Sequence, residues 1–221
     1  MCGRFALTRS PEELTRVFGL AECPDVTPRG NIAPATAIAV VRRSPAGDPV
    51  LHLLRWGLVP HWSQDPTRGP RPINARSETV LVKPAFREAF QKRRCLIPAD
   101  GFYEWQTQGG TKQPFFFSDP QGQVLALAGL WETWRAPDGG LLRTCCILTT
   151  AANAQVAPVH ERMPLILAPG SWATWLGGPV AAAEALLEPA PAEALQCWPV
   201  SHRVNRVAEA GADLMAPVAA G

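Results

Sequence analysis

Apolar and polar positions fall into short blocks along most of the chain, separated by glycine- and proline-rich stretches. Arg4-Phe5-Ala6-Leu7 predicts a first strand. Ser10-Pro11-Glu12-Glu13 has the sequence of a helix start, with Ser10 as N-cap, Pro11 at the first helical position and Glu13 closing a capping box. That helix should run to Phe18 and stop at Gly19. Residues 21–30 contain Pro24, Pro28 and Gly30 and read as irregular. The apolar runs Ile38–Val41 and Val50–Trp56 flank an Ala46-Gly47-Asp48 turn and predict an antiparallel hairpin.

A polar loop broken by Pro66, Gly69, Pro70 and Pro72 follows, and it carries Trp62 near Arg68 and Arg71. Pro84–Arg93 has the spacing of an amphipathic helix, and Cys95–Pro98 reads as a buried strand. After an Ala99-Asp100-Gly101 turn, Phe102–Trp105 predicts a strand with Tyr103 and Trp105 on one face and Glu104 on the other. Further strands are predicted at Pro114–Phe117, Val124–Leu130, Leu141–Leu148, Leu165–Leu167 and Trp198–Ser201. Short helices are expected at Ser171–Leu176 and Ala181–Leu187, with a linker-like stretch at Pro189–Ala194. Repeated short strands with turn signals between them suggest an α+β fold. Its sheet should be curved, barrel-like and mostly antiparallel, flanked by short helices. One domain over residues 1–221 is expected, with a core at about 2–207 and a short irregular C-terminal tail.

Composition narrows this picture only slightly. The chain has 221 residues and a net charge of +2, which by itself selects no partner. All but Lys83, Lys92 and Lys112 of the 21 basic residues are arginine, the planar fork suited to phosphate oxygens. Codon bias is the better reading of most of these arginines, since the chain is also rich in Ala, Pro and Gly, so a phosphate-binding surface is allowed and not shown. No stretch reaches membrane-span length and no basic segment precedes an apolar run at the start, so a cytosolic protein is expected. The six cysteines form no C-x-x-C pair and the four histidines lack zinc-ligand spacing, so no disulfide framework, metal or cofactor is expected.

The candidate chemistry begins at Met1-Cys2-Gly3-Arg4. Removal of the initiator methionine would leave Cys2 with a free α-amine and a thiol on adjacent carbons. Such a 1,2-aminothiol condenses with an aldehyde through the amine and closes a thiazolidine ring through sulfur. Position alone leaves a second reading open, in which Cys2 is a small buried hydrophobe. Glu104 is equally open between a solvated face and a buried acid of shifted pKa. His160, between Pro158 and Pro164, is either structural or part of a site rim. Trp62 is either a stacking platform for bases or a cover for the core edge.

Six segments then occur in an order that resembles the SRAP family, the SOS response associated peptidases or abasic site processing proteins. They are Met1–Phe5, Asn31–Pro34, Trp56–Pro60, Asn74–Thr79, Cys95–Trp105 and Pro158–Pro164, and the likeness extends from residue 2 to Val207. The resemblance implies a compact α+β domain with a groove for single-stranded DNA. It also implies an N-terminal cysteine that cross-links covalently to the ring-opened aldehyde of an abasic site. Carried over by motif, Cys2 is the nucleophile, Asn74 orients it, and Glu104 and His160 are the acid and base groups. Arg4 and Arg76 match positions that hold phosphates, and Asn31 and Trp62 match positions near the bound strand. Ser63 departs from the family, whose members often place a second aromatic there, and implies weaker base stacking. Cysteine autopeptidase and Schiff-base lyase activities are also implied. So are a monomeric state, single-stranded DNA as partner without metal or membrane, and nucleoid association at damaged DNA. Two other classes remain: an N-terminal-nucleophile amidohydrolase acting on a small amide such as glutamine, and a noncatalytic single-strand binding module.

Overall fold

The computed structural model describes residues 2–218. In chain order the elements are β1 (Phe5–Leu7), α1 (Pro11–Phe18), β2 (Arg29–Ile32), β3 (Ala37–Arg43), β4 (Pro49–Trp56) and β5 (Asn74–Arg76). They continue with α2 (Arg87–Lys92), β6 (Arg94–Ala99), β7 (Gly101–Gln108), β8 (Thr111–Ser118), β9 (Leu125–Arg135) and β10 (Leu141–Ala151). The chain closes with β11 (Arg162–Pro164), α3 (Trp172–Gly177), α4 (Val180–Glu184) and β12 (Gln196–Pro199). α1 begins as its sequence dictates. Ser10 Oγ accepts from the Glu13 N–H at 3.2 Å and Glu13 Oε2 accepts from the Ser10 N–H at 3.0 Å, while Gly19 ends the helix at φ 62°.

Strands β4, β3, β6, β9 and β10 pair in sequence, and β10 pairs back to β4, closing a five-stranded barrel. The β4–β10 pairing is parallel and the other four are antiparallel, so the expected curved, mostly antiparallel sheet is present. Its lumen is filled by side chains such as Ile38, Val40, Leu54, Ile97, Leu127 and Ile147, all buried. A second sheet runs β12–β8–β7–β1–β2. The chain passes from the barrel to this sheet between β6 and β7, through Asp100 alone. The Asp100 carboxylate fixes that corner by accepting from the Thr8 N–H at 2.6 Å, Thr8 Oγ1 at 2.7 Å and Arg9 Nε at 2.7 Å. Gly101 is required next, because a Cβ there would collide with the Phe117 carbonyl oxygen and the Phe116 ring.

Three expectations need correction. The helix expected from Pro84 begins only at Arg87, because Phe86 adopts φ −124° and ψ −29° while its ring is buried. The strand expected at Leu165–Leu167 lies three residues earlier, at Arg162–Pro164, where it pairs with β10. Leu165 and Leu167 are buried, but their backbone bonds divide between β10 and β9: the Leu165 N–H reaches the Leu148 carbonyl and the Leu167 N–H reaches Ala126. The run is apolar because it is a crossover, not a ladder. Arg29 and Gly30, within the stretch expected to be irregular, belong to β2.

Among the described residues, the segment after β12 forms no α-helix or strand, yet it is firmly held. Gly30 N–H donates to the Ala210 carbonyl at 2.7 Å, Trp198 Nε1 donates to the Met215 carbonyl at 2.8 Å, and Leu214 is buried. Among the described residues, no helix is long and apolar enough to cross a membrane.

Candidate active site

The antiparallel β1–β7 pairing, with Phe5 opposite Phe102, draws the N-terminal residues alongside β7, and the Tyr103 N–H donates to the Arg4 carbonyl at 3.0 Å. Cys2 is fully buried as a result. Its carbonyl accepts from Asn74 Nδ2 at 2.9 Å. A nitrogen must stand there to donate, which fixes the orientation of the amide. Asn74 Oδ1 is then a buried acceptor with no hydrogen bond among the described residues. β5 supplies Asn74 because it pairs in parallel with β10, Asn74 opposite Ile147.

Burial is the largest influence on the Cys2 thiol and pushes its pKa well above the ordinary thiol value, and the neighbouring Glu104 charge pushes the same way. The backbone N–H of Arg4 donates to the sulfur and opposes this without reversing it. Glu104 lies on the buried face of β7, 3% exposed, and burial lifts its carboxyl to about 7. His160 Nε2 lies 3.9 Å from Glu104 Oε2. The ring's Nδ1 lies 2.9 Å from the Arg162 amide nitrogen and 3.1 Å from the Arg162 carbonyl. An amide N–H can only donate, so Nδ1 accepts and the proton of the neutral ring sits on Nε2, toward Glu104. Burial lowers the His160 pKa, favouring that neutral form. Glu104, Trp105, Lys112, His160 and Asn205 line an open cavity of about 510 Å³.

Four of the residues expected at the site therefore gather: Cys2, Asn74, Glu104 and His160. The four expected at the DNA divide. Arg76 is exposed and lies two residues beyond Asn74 on the same side of β5, opposite the buried Ala75. Trp62 is 59% exposed, on a loop that His61 ties to Glu88 at 3.3 Å and to Glu132 at 3.6 Å. Arg4 is half-buried, and its Nη1 donates to Asn31 Oδ1 at 3.0 Å and to the Val204 carbonyl at 2.8 Å. Asn31 is 3% exposed, and its Nδ2 lies 3.2, 3.1 and 2.9 Å from the carbonyls of Val204, Arg206 and Glu209. In this structure its side chain clamps the C-terminal segment.

A family model described as SOS response associated peptidase (SRAP) matches residues 1–207. The chain belongs to the SRAP family. The Bacillus subtilis protein named abasic site processing protein YoqW is 36% identical over 212 residues, 93% of this chain and 94% of that one. Abasic site processing protein YedK of Escherichia coli is 32% identical over 230 residues, 99% of this chain and 100% of that one. The Gallus gallus abasic site processing protein HMCES is 36% identical over 199 residues, 78% of this chain and 59% of that longer one. Crystal structures share the fold. A Bordetella bronchiseptica protein superposes with a TM-score of 0.80 at 28% identity, covering 90% of this chain and 100% of that one. A Bacteroides thetaiotaomicron protein, at 21% identity, gives 0.88 over 98% and 100% of the two chains, a likeness of fold.

Within this SRAP domain, several supporting residues escaped sequence reasoning. Arg162 holds the His160 ring through its backbone N–H, and its guanidinium pairs with both Glu78 oxygens and with the Thr149 carbonyl. That pair ties the segment carrying His160 to the one carrying Asn74. Gln106 Nε2 donates to the Pro158 carbonyl at 2.8 Å and steadies the His160 loop from β7. Tyr103 buries its ring against Phe116 and donates its hydroxyl to the Gly30 carbonyl at 2.5 Å. The only signal in the sequence was charge and amide groups set among apolar neighbours. The state of Met1, on which exposure of the Cys2 amine depends, lies outside the described residues.

Proposed function

We propose that this protein senses abasic sites in single-stranded DNA and joins them covalently through the α-amine and thiol of Cys2. The family, and relatives named as abasic site processing proteins, support the DNA lesion as target. The observation that carries the chemistry is the Glu104 carboxyl, buried beside the buried Cys2 and 3.9 Å from His160, where burial raises its pKa. An abasic sugar rests mostly as a closed hemiacetal. A protonated Glu104 would donate to the ring oxygen through one carboxyl oxygen while the other takes the anomeric hydroxyl proton, releasing the aldehyde and leaving Glu104 protonated for the next step.

The amine, with an ordinary pKa of about 7.7–8.0, adds to that aldehyde as its neutral form. Asn74 Oδ1 accepts from it without the negative charge that would hold it as ammonium. Water leaves the carbinolamine with a proton supplied by Glu104, giving an imine. The thiol then adds across the C=N bond, sulfur to carbon and proton to nitrogen, closing the thiazolidine. His160 moves the proton as the imine forms or reverses. Ring closure removes the imine, the stage from which lyase-type strand cleavage would proceed. Residues ahead of Cys2 would leave by intramolecular attack of the thiol on the preceding carbonyl, where the high effective molarity of a five-membered ring offsets the low reactivity of a neutral thiol, followed by acyl transfer from nitrogen to sulfur and hydrolysis of the thioester. Arg76 and Arg4 would hold flanking phosphates, with Trp62 beside the strand.

Amide hydrolysis on a small substrate would need a resting thiolate as first nucleophile, and the burial of Cys2 weighs against it. The test is incubation of mature protein with single-stranded DNA containing one abasic site, followed by denaturing electrophoresis. An adduct with wild type and none with Cys2→Ala is expected. Failure of wild type to form one, or an equal yield from Cys2→Ala, would overturn the reading.

A further inference from the structure

One end of the barrel lumen carries a basic group that the Cys2 chemistry does not use. Register places Arg42 opposite Cys95, Cys95 opposite Gly129, Cys145 opposite Trp131 and Arg143 opposite Thr133. With His52 opposite Val40, these side chains share the inner face of the barrel, two to four residues along from the apolar filling. Arg42 Nη2 lies 3.3 Å from His52 Nε2, and the guanidinium stands 4.8 Å over the Trp131 ring.

A guanidinium can only donate, so His52 Nε2 is the acceptor and the imidazole is neutral with its proton on Nδ1. Burial, followed by the charges of Arg42 and Arg143, lowers the His52 pKa and agrees with this assignment. Two donors then point to one chemistry. Arg42 Nε and His52 Nδ1 are both buried and have no hydrogen-bond partner among the described residues. No carboxylate forms an ion pair with Arg42, Arg143 or Arg135 among those residues, and Arg135 lies on the same face at the lumen rim, opposite Leu141. Unpaired donors and uncompensated positive charge are costly where water is partly excluded. An oxyanion relieves both at once. It offers several acceptor oxygens to the two donors and negative charge to the arginines, and the Trp131 ring holds Arg42 in place.

We propose that this end of the barrel is an oxyanion-binding site of the phosphate class, formed by Arg42, His52 and Arg143 on the Trp131 platform. The phosphate can be a free ion or a diester of a nucleic-acid strand. The experiment follows the Arg42 Nε–H and His52 ring signals of the full chain by NMR. One arm adds inorganic phosphate, a second adds an unmodified single-stranded oligonucleotide, and a third adds sodium chloride at matched ionic strength. DNA without an abasic site keeps the result independent of Cys2.

Saturable shifts of both signals with phosphate or with oligonucleotide, and not with chloride, are expected. Response to phosphate alone assigns a small anion, and response to oligonucleotide at far lower concentration assigns a strand. Arg143→Gln changes an exposed residue and should fold normally; it should weaken binding about tenfold, the worth of one charge-assisted hydrogen bond. Absence of shifts in both arms, equal shifts with chloride, or unchanged affinity in Arg143→Gln would overturn the site.

Discussion

Replacing Glu104 by Gln keeps the side chain's size and removes its proton equilibrium. The wild-type carboxyl is 3% exposed, and burial carries its pKa from 4.5 to about 7. As the pH rises through that interval the unfolded chain gives up this proton while the folded chain keeps it. The folded state then binds more protons than the unfolded one, so stability falls with rising pH, by on the order of 3 kcal/mol across the interval. Above about 7 both states are ionised and the penalty is constant. Glu104→Gln carries no such slope. Urea unfolding of the two proteins in parallel should show their stability difference moving by about 3 kcal/mol in the variant's favour between about pH 4 and about pH 8. Other titrating groups cancel in that comparison. Adduct formation should move the opposite way, slowing by on the order of 100-fold with loss of the general acid. The wild-type rate should be bell-shaped in pH, limited below by the ammonium form of the amine and above by ionisation of Glu104. The variant should keep only the rising limb. Cross-linking by Glu104→Gln at the wild-type rate would refute the acid role, and a stability difference that ignores pH would refute the burial argument.

Asn74→Asp should place a carboxylate beside the Cys2 amine, raise the amine pKa and cut its neutral fraction, slowing adduct formation about tenfold at neutral pH; recovery at higher pH in a rate profile checks the cause. Asn31→Ala should cost about 2–4 kcal/mol, because it removes the donor shared by the Val204, Arg206 and Glu209 carbonyls and the acceptor for Arg4. Hydrogen exchange should then rise over residues 204–210 before the barrel responds. Arg76→Ala should weaken single-stranded DNA binding and reduce the slope of log K against log salt by about 0.7, with the cross-linking rate at saturating DNA retained. An unchanged slope would remove Arg76 from the phosphate contacts.

Local structure was legible wherever one short segment contained its own explanation. The capping box of Ser10 and Glu13 and the turn at Gly47 needed no distant partner, and both elements form where the sequence places them. The barrel was legible as a class because repeated short strands need a closed or covered edge. Its closure was not, since the parallel β4–β10 pairing joins segments separated by the whole 57–140 region. Leu165–Leu167 failed for a related reason: an apolar run reports burial, and only the neighbours decide whether its backbone joins one ladder or two. The face of Glu104 was open in the sequence because alternation separates two faces without saying which is inner. Register against β8 and the N-terminal segment settles it. Asn31, expected beside DNA, spends its amide on Arg4 and on the carbonyls of Val204, Arg206 and Glu209, a set of partners far apart in sequence that no motif reveals.

In the proposed cross-linking reaction, the burial that raises Glu104 also raises the Cys2 thiol, and together they would set an order of bond formation. A protonated, buried thiol is a poor first nucleophile, so attack on the aldehyde falls to the amine. Once the imine exists, the thiol's high pKa stops being a handicap. Sulfur needs to give up its proton only as it bonds to carbon, and the imine nitrogen, turning into a secondary amine, receives that proton within the same ring closure. A thiolate stabilised by a nearby cation would attack earlier and would also meet any other electrophile that entered the pocket. Holding the thiol neutral thus ties its reactivity to the prior arrival of an aldehyde at the amine. An engineered cation beside Cys2 should therefore broaden reactivity toward soft electrophiles such as iodoacetamide while leaving aldehyde capture limited by the amine. Mass spectrometry of alkylated protein against adduct yield would separate those two effects, and a parallel rise in both would show that the thiol, not the amine, had been limiting.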